Sequence, residues 1–301
     1  MKSLIKKFLF KNLEPKPFFG VRILNGQIEE KVFLKNGNHT LDVSNRHNIV
    51  CESPFCISVW INEDDLISFN RDKLELIIVK AAKLAASLNI TLIKKLEQDN
   101  GAIFIFEIIK VRCYQLNLLR QYILIAFFFT NRRHTYKEAE IYGALYSYPR
   151  KVIVTSFRND EYYNIFPQDF QGEYPEINIY LLGLKVSNIT VNRIMETKRV
   201  VVSSTEAIDS KTIYDLGAHH SKTPPSMKNL SFKVNESELL KFPVPEFSSS
   251  YKEIEIIENY KLGSHIMLVG RILNSRQLKE NHSSLYHVHF FEYLHSDYDE
   301  A

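Results

Sequence analysis

The sequence is poor in the residues that break or staple a chain. Ten Gly and ten Pro in 301 residues exclude collagen-like and low-complexity architectures. Cysteine is scarce: Cys51, Cys56 and Cys113 form neither a C-x-x-C pair nor a Cys/His ligand ladder. A disulfide framework and a zinc site are therefore not expected, and the three read as free core thiols. The most apolar run, Tyr122 to Phe129, falls far short of the roughly 20 residues of a spanning helix. Met1 to Phe10 is basic but has no long apolar stretch or small-residue cleavage site. These absences lead us to expect a cytoplasmic protein without a membrane partner. Charge of one sign is also lacking, because a net +3 is too small to argue for nucleic acid. No glycine-rich phosphate loop occurs, neither G-x-G-x-x-G nor G-x-x-x-x-G-K-[ST].

What is present suffices for a sizeable core: 45% of the residues are hydrophobic. Charge is unevenly spread, about +7 over residues 1–150 and −4 over 151–301, which suggests two units with different surfaces. In the first, Val21–Leu24, Lys31–Leu34 and Cys56–Trp60 read as strands, with Asn-Gly turns at 25–26 and 36–37. Leu74, Ile77, Ile78, Ala81, Ala85 and Leu88 follow helical spacing, with Asn89 as the stop. Thr91–Glu97 and Ala102–Val111 flank Asp99-Asn100-Gly101 as a hairpin, and Leu116–Phe129 reads as a buried helix. Asp64 and Asp65 read as solvated surface, and Arg132-Arg133-His134 as a polar linker. The expected division is an α+β domain over 1–140, of unassigned role, and a second domain over 141–301.

The second unit is mostly β. Lys151–Ser156, Tyr162–Phe166, Ile177–Leu184 and Arg199–Ser203 read as strands, with a short helix over Ser187–Thr197 whose Ile189, Ile194 and Met195 face inward. Proline loops at 223–225 and 243–245 precede strands Lys252–Glu258, His265–Leu273 and Ser284–Phe291. Short strands with minor helices indicate a closed or split barrel.

In this order and spacing, four segments resemble the flavin reductase-like family: Pro149-Arg150-Lys151-Val152-Ile153-Val154-Thr155-Ser156, Asn164 to Phe170, Leu181 to Lys185 and Glu196 to Ser203. The resemblance continues through Gly263-Ser264-His265 to Gly270 and Leu285 to His289, about half the chain. It implies an FMN-binding split β-barrel following the N-terminal mixed α/β domain. It also implies FMN (or FAD) as cofactor, NADH or NADPH as donor, and a homodimer. The expected function is an NAD(P)H-dependent flavin reductase or related oxidoreductase. Alternatives are a non-enzymatic flavin- or ligand-binding module with an N-terminal interaction domain, and an activity residing in the +7 half.

The residues themselves leave paired readings. Phe166, Pro167, Gln168 and Asp169 either line a flavin ring or end an ordinary edge strand at proline. Lys185 with Ser187 and Asn188 either forms a phosphate site at a helix start or simply caps the helix. By the family match, Leu182, Gly183 and Leu184 join this cofactor-binding set. His265 is a core histidine or, by resemblance, lies near the flavin and the nicotinamide pocket. His219, in a polar 217–226 loop that reads as a lid, is the second catalytic candidate. His287 and His289 share a strand face but lack a local carboxylate or thiol partner, so no metal is expected.

Overall fold

The computed structural model describes residues 18–24, 26–66, 74–117, 119, 120, 122, 136–206, 208–218, 223–280 and 283–301. In chain order the first strands are β1 (Phe18–Leu24), β2 (Lys31–Asn36), β3 (His39–Asp42), β4 (His47–Glu52), β5 (Phe55–Asn62), β6 (Leu74–Lys80), β7 (Lys83–Gln98) and β8 (Gly101–Cys113). They continue with β9 (Arg150–Lys151), β10 (Ile153–Arg158), β11 (Tyr163–Gln168), β12 (Gln171–Tyr174), β13 (Ile179–Lys185) and β14 (Arg199–Ser203). The last are β15 (Val234–Glu236), β16 (Pro243–Pro245), β17 (Ser250–Leu262), β18 (His265–Gln277), β19 (Ser283–His289) and β20 (Asp299–Glu300). Helices Tyr136–Leu145, Thr190–Thr197, Ser210–Gly217 and Phe290–His295 and the helical turn Glu63–Leu66 lie between them. No described helix is long and apolar enough to cross a membrane.

Two antiparallel seven-stranded sheets form the body. The first is ordered β3-β2-β6-β7-β8-β5-β4 and the second β11-β10-β14-β17-β18-β13-β12. Counting each set from its own first strand, both run second, first, fifth, sixth, seventh, fourth, third. In the second sheet, Phe166 near one edge and Leu182 near the other share a core cluster with Val200 and Ile254, so the sheet coils around that core. Between the sheets, Val50, Trp60, Ile103 and Ile105 pack with Tyr174, Leu181, Met267 and Val269. A four-stranded sheet, β20-β1-β19-β9, joins the chain's ends. β1 pairs with β19 from Phe18↔His289 to Leu24↔Ser283, across the division expected at 140/141.

The helix expected over Leu74–Leu88 is instead the β6–β7 hairpin. Leu74, Leu76 and Ile78 are buried and alternate with half-buried Glu75 and Ile77, a period of two. The run Ile77-Ile78-Val79 is β-branched and suits a strand. Lys80 pairs with Lys83, and the two intervening residues, Ala81 and Ala82, take φ of 45° and 62°, closing a two-residue turn. Asn89, expected to end the helix, sits opposite Glu75 in the ladder. The Asn100 hairpin forms as expected, with φ 68° at that residue. In the 190–197 helix, Val191 and Ile194 are buried while Ile189 is exposed. Pro243–Pro245, expected as loop, pairs with β15 as a short strand. Most of the 116–129 segment, and Arg132-Arg133-His134, lie outside the described residues.

Candidate functional site

A cavity of about 350 Å³ opens where the end of β11, the end of β13 and the start of β18 converge. β11 is an edge strand, so Pro167, which has no N–H to donate, is tolerated within it. After Gln168 the chain turns through Asp169 and Phe170 into β12, and Gly183 N–H donates to the Phe170 carbonyl at 2.7 Å. This bond places the turn beside the last residues of β13.

Phe166, Pro167, Gln168, Asp169, Gly183, Leu184, Lys185, Asn188 and His265, all candidates from the sequence, line this one cavity. Leu182 is buried in the core of the second sheet, and Ser187 stands exposed outside the cavity. His219 lies outside the described residues. The wall is completed by Phe170, which ends one of the segments that carry the resemblance, by Gly217, which opens the expected lid loop, and by Phe18, Glu52, Tyr142 and Tyr146, these four not singled out from the sequence. Those four come from distant segments, and nothing local marks them.

Gln168 is the anomaly in the wall: both its Oε1 and its Nε2 are buried without a hydrogen-bond partner. A buried amide lacking partners costs on the order of 1–3 kcal/mol. The neighbouring Asp169, by contrast, is partnered. Its Oδ2 accepts from the Tyr146 hydroxyl at 2.7 Å and from His287 Nδ1 at 2.8 Å. Burial pushes its carboxyl up, but the bonds from His287 and Tyr146 outweigh this and hold it below the usual carboxylate value. Burial, and then the Asp169 charge, push the Tyr146 phenol well above its ordinary range. The Phe18 ring stacks on Tyr146 at 5.3 Å and lies against His287 at 4.4 Å.

On the opposite wall, Lys185 Nζ meets Glu52 Oε2 at 2.8 Å, and the Tyr142 hydroxyl donates to Glu52 Oε1. Asn188 Oδ1 accepts from Thr190 N–H at 2.9 Å, in the turn that leads into the 190–197 helix. His265 packs its ring 5.1 Å from Phe170. Its Nδ1 accepts from the Glu52 N–H at 3.4 Å and faces Ser264 Oγ at 2.9 Å. Since a backbone N–H only donates, the neutral ring carries its hydrogen on Nε2.

A second cavity, of about 270 Å³, borders Asp169 from the other side, between His47–Ile49 and the β10, β12 and β14 strands. Arg150 lies there. Its Nε donates to the Leu145 carbonyl at 2.9 Å and its Nη1 to His47 Nε2 at 2.8 Å, while Nη2 has no partner. Burial, and then the Arg150 charge, hold the His47 ring at about 3, so it accepts that bond as a neutral imidazole. His289 accepts from Phe291 N–H at 3.3 Å, starting the last helix. Among the described residues no three His, Cys, Asp or Glu side chains are grouped to hold a metal.

No family model matches the chain, and no curated protein matches it. Among solved structures, the chain is similar to an FMN-binding protein from Thermus thermophilus with bound 1-cyclohex-2-enone, at 18% identity and a TM-score of 0.39 over 44% of this chain and 72% of that one. It is also similar to the NADH:FAD oxidoreductase SgcE6 of Streptomyces globisporus C-1027, at 15% identity and a TM-score of 0.42 over 47% and 83%. A third is flavin reductase PheA2, at 12% identity and a TM-score of 0.41 over 52% and 94%.

Proposed function

We propose that residues 141–301 form a split β-barrel whose 350 Å³ cavity takes the ring system of FMN, or of FAD, and that the protein is an NAD(P)H-dependent flavin reductase or related oxidoreductase. The observation that carries this reading is the unpartnered Gln168 amide. It holds an N–H2 donor group and a carbonyl acceptor side by side on a residue that lines a cavity faced by Phe166, Phe170 and Leu184. The pyrimidine edge of a flavin is an imide, alternating carbonyl acceptors with an N–H donor, on a flat apolar ring. Such a ligand relieves both orphaned atoms and covers the aromatic wall, and the volume lies within the roughly 300–1,000 Å³ of small-molecule sites.

A bound flavin would supply the hydride chemistry, and the protein its binding, orientation and electrostatics. Gln168 would hold the imide edge, while Phe166 and Phe170 exclude water from the ring. His265 presents its Nε2–H as a fixed donor for charge developing nearby. Lys185, with the turn leading into the 190–197 helix, would meet the phosphate, exchanging its present Glu52 partner for it.

The test is a visible-absorption titration of the protein with FMN, followed by NADH under anaerobic conditions. A perturbed flavin band that NADH bleaches at a useful rate is expected. Gln168→Leu should lower FMN affinity by about tenfold, one hydrogen-bonded pair's worth, while leaving the unfolding midpoint level or slightly raised. A Gln168→Leu protein that binds FMN as tightly as the native chain would refute the assignment of the imide edge. A flavin that binds but stays oxidised with NADH and NADPH would favour a non-enzymatic binding module.

A further inference from the structure

The N-terminal half, to which the sequence assigns no role, repeats the C-terminal half strand for strand. β2–β8 and the set β10–β14, β17 and β18 pair in one and the same order. The match extends to individual residues. β5 and β8 pair from Cys56↔Glu107 to Asn62↔Gly101, while β13 and β18 pair from Ile179↔Arg271 to Lys185↔His265, seven pairs in each case. Trp60 N–H donates to the Arg46 carbonyl at 2.9 Å, and its counterpart Gly183 N–H donates to the Phe170 carbonyl at 2.7 Å. The long hairpins β7–β8 and β17–β18 each carry two register shifts.

The halves also meet through the same face. Ile103 and Ile105 on one side correspond, by this register, to Met267 and Val269 on the other, and all four share the inter-sheet cluster. Strands β4 and β5 of the first half face β12 and β13 of the second there. Corresponding surfaces meeting each other are the mark of an isologous-like, two-fold contact.

We propose that the chain is a fused pair of like folds about an approximate two-fold, in which the N-terminal half serves as a permanent partner subunit, donating Glu52 to the one retained ligand site while its own equivalent site is closed. The closure is written in the matched positions. Where the C-terminal half has Gly183, Lys185 and His265, the N-terminal half has Trp60, Asn62 and Gly101. The counterparts of Phe170 and Asn188 are Arg46 and Asp65, and these two form an ion pair at 3.3 Å. An indole thus stands where the retained site has no side chain, and a salt bridge spans the place where an aromatic ring and an amide line the cavity.

Conversely, the tip of the β4–β5 hairpin docks on the β17–β18 turn of the other half. Ser264 N–H donates to the Ser53 carbonyl at 2.7 Å, and Ser53 N–H to Ser264 Oγ at 3.0 Å. This docking sets Glu52 against Lys185 and brings its N–H to His265. Glu52 is therefore a positioning residue supplied from the other half, as a second subunit would supply it. On this proposal one chain supplies both sides of the contact for which the sequence resemblance implies a homodimer.

The fused-pair part stands on geometry alone; the ligand count and the role of Glu52 rest on the flavin reading. Three measurements on the full chain separate them. Light scattering at micromolar concentration should give a single-chain mass, 35.2 kDa; a stable two-chain mass would overturn the self-contained pair. FMN titration should saturate at one equivalent per chain, and two equivalents would overturn the closed site. Glu52→Gln should tighten FMN at least fivefold relative to riboflavin, because Lys185 is released toward the phosphate. An unchanged FMN-to-riboflavin ratio would remove Glu52 from the proposal. Absence of any flavin binding with a single-chain mass would sink the functional reading and leave the fused pair standing.

Discussion

Asp169 shows how one side chain ties several segments together. Its carboxylate holds Tyr146, from the end of the 136–145 helix, and His287, from β19. Its folded-state value lies below the ordinary carboxylate value. The stability it contributes is therefore present above the unfolded value of about 3.9 and is lost as pH falls through the lower folded value. We expect the urea midpoint of the native protein to fall on acidification below about pH 4. Asp169→Asn should cost about 1.5–3 kcal/mol at neutral pH, the worth of hydrogen bonds to a charged group, and should flatten that acid limb. Parallel midpoint-against-pH curves for the two proteins would show that Asp169 is not the group responsible. The sequence offered Asp169 as a candidate but not its partners, which lie 23 and 118 residues away along the chain. Such pairings follow only from the way the sheets bring those segments together.

At the scale of elements, the β6–β7 hairpin is the instructive case. Its residues satisfy helical spacing and strand alternation at once, because Leu74, Ile77 and Ile78 fit the first and Leu74, Leu76 and Ile78 the second. Pairing with β2 on one side settles the matter, since β6 is an interior strand between β2 and β7. The turn carries no signal because Ala81 and Ala82 hold positive φ without glycine or asparagine. That strain is a prediction in itself. Replacing Ala81-Ala82 by Asn-Gly should raise stability by about 1 kcal/mol, by supplying residues suited to positive φ. If the segment were a helix, the same double change would lower stability by a similar amount. Chemical denaturation separates the two signs. By contrast, β10, β11, β13 and β14 were legible because each is a β-branched or aromatic run ended by a turn residue.

Across the whole molecule, the contact between the halves is close enough to depend on a missing side chain. A Cβ at Gly183 would stand 2.5 Å from the Val50 carbonyl oxygen, on the facing strand of the other half. Gly183→Ala should therefore cost about 1–3 kcal/mol, the usual range for overpacking. Because the halves share the inter-sheet cluster and the β1–β19 pairing, the loss should appear as a shift of one cooperative unfolding transition. Two separated transitions in calorimetry would show the halves to be energetically independent.

Residue types and spacing make the strand-rich second half legible, while the candidates Phe166–Asp169, Gly183–Lys185 and His265 rest on the resemblance of their segments to a known family. The completion of the cavity by Phe18, Glu52 and Tyr146 and the recurrence of one strand order in both halves are visible only in the folded chain. The physical reason is that strand order and register reside in backbone hydrogen bonds, which ask of side chains little more than alternating burial. Cys56–Asn62 and Ile179–Lys185 occupy matched positions while sharing no residue at any of them, so the repeat is written in the pairing of the strands and not in the letters of the chain.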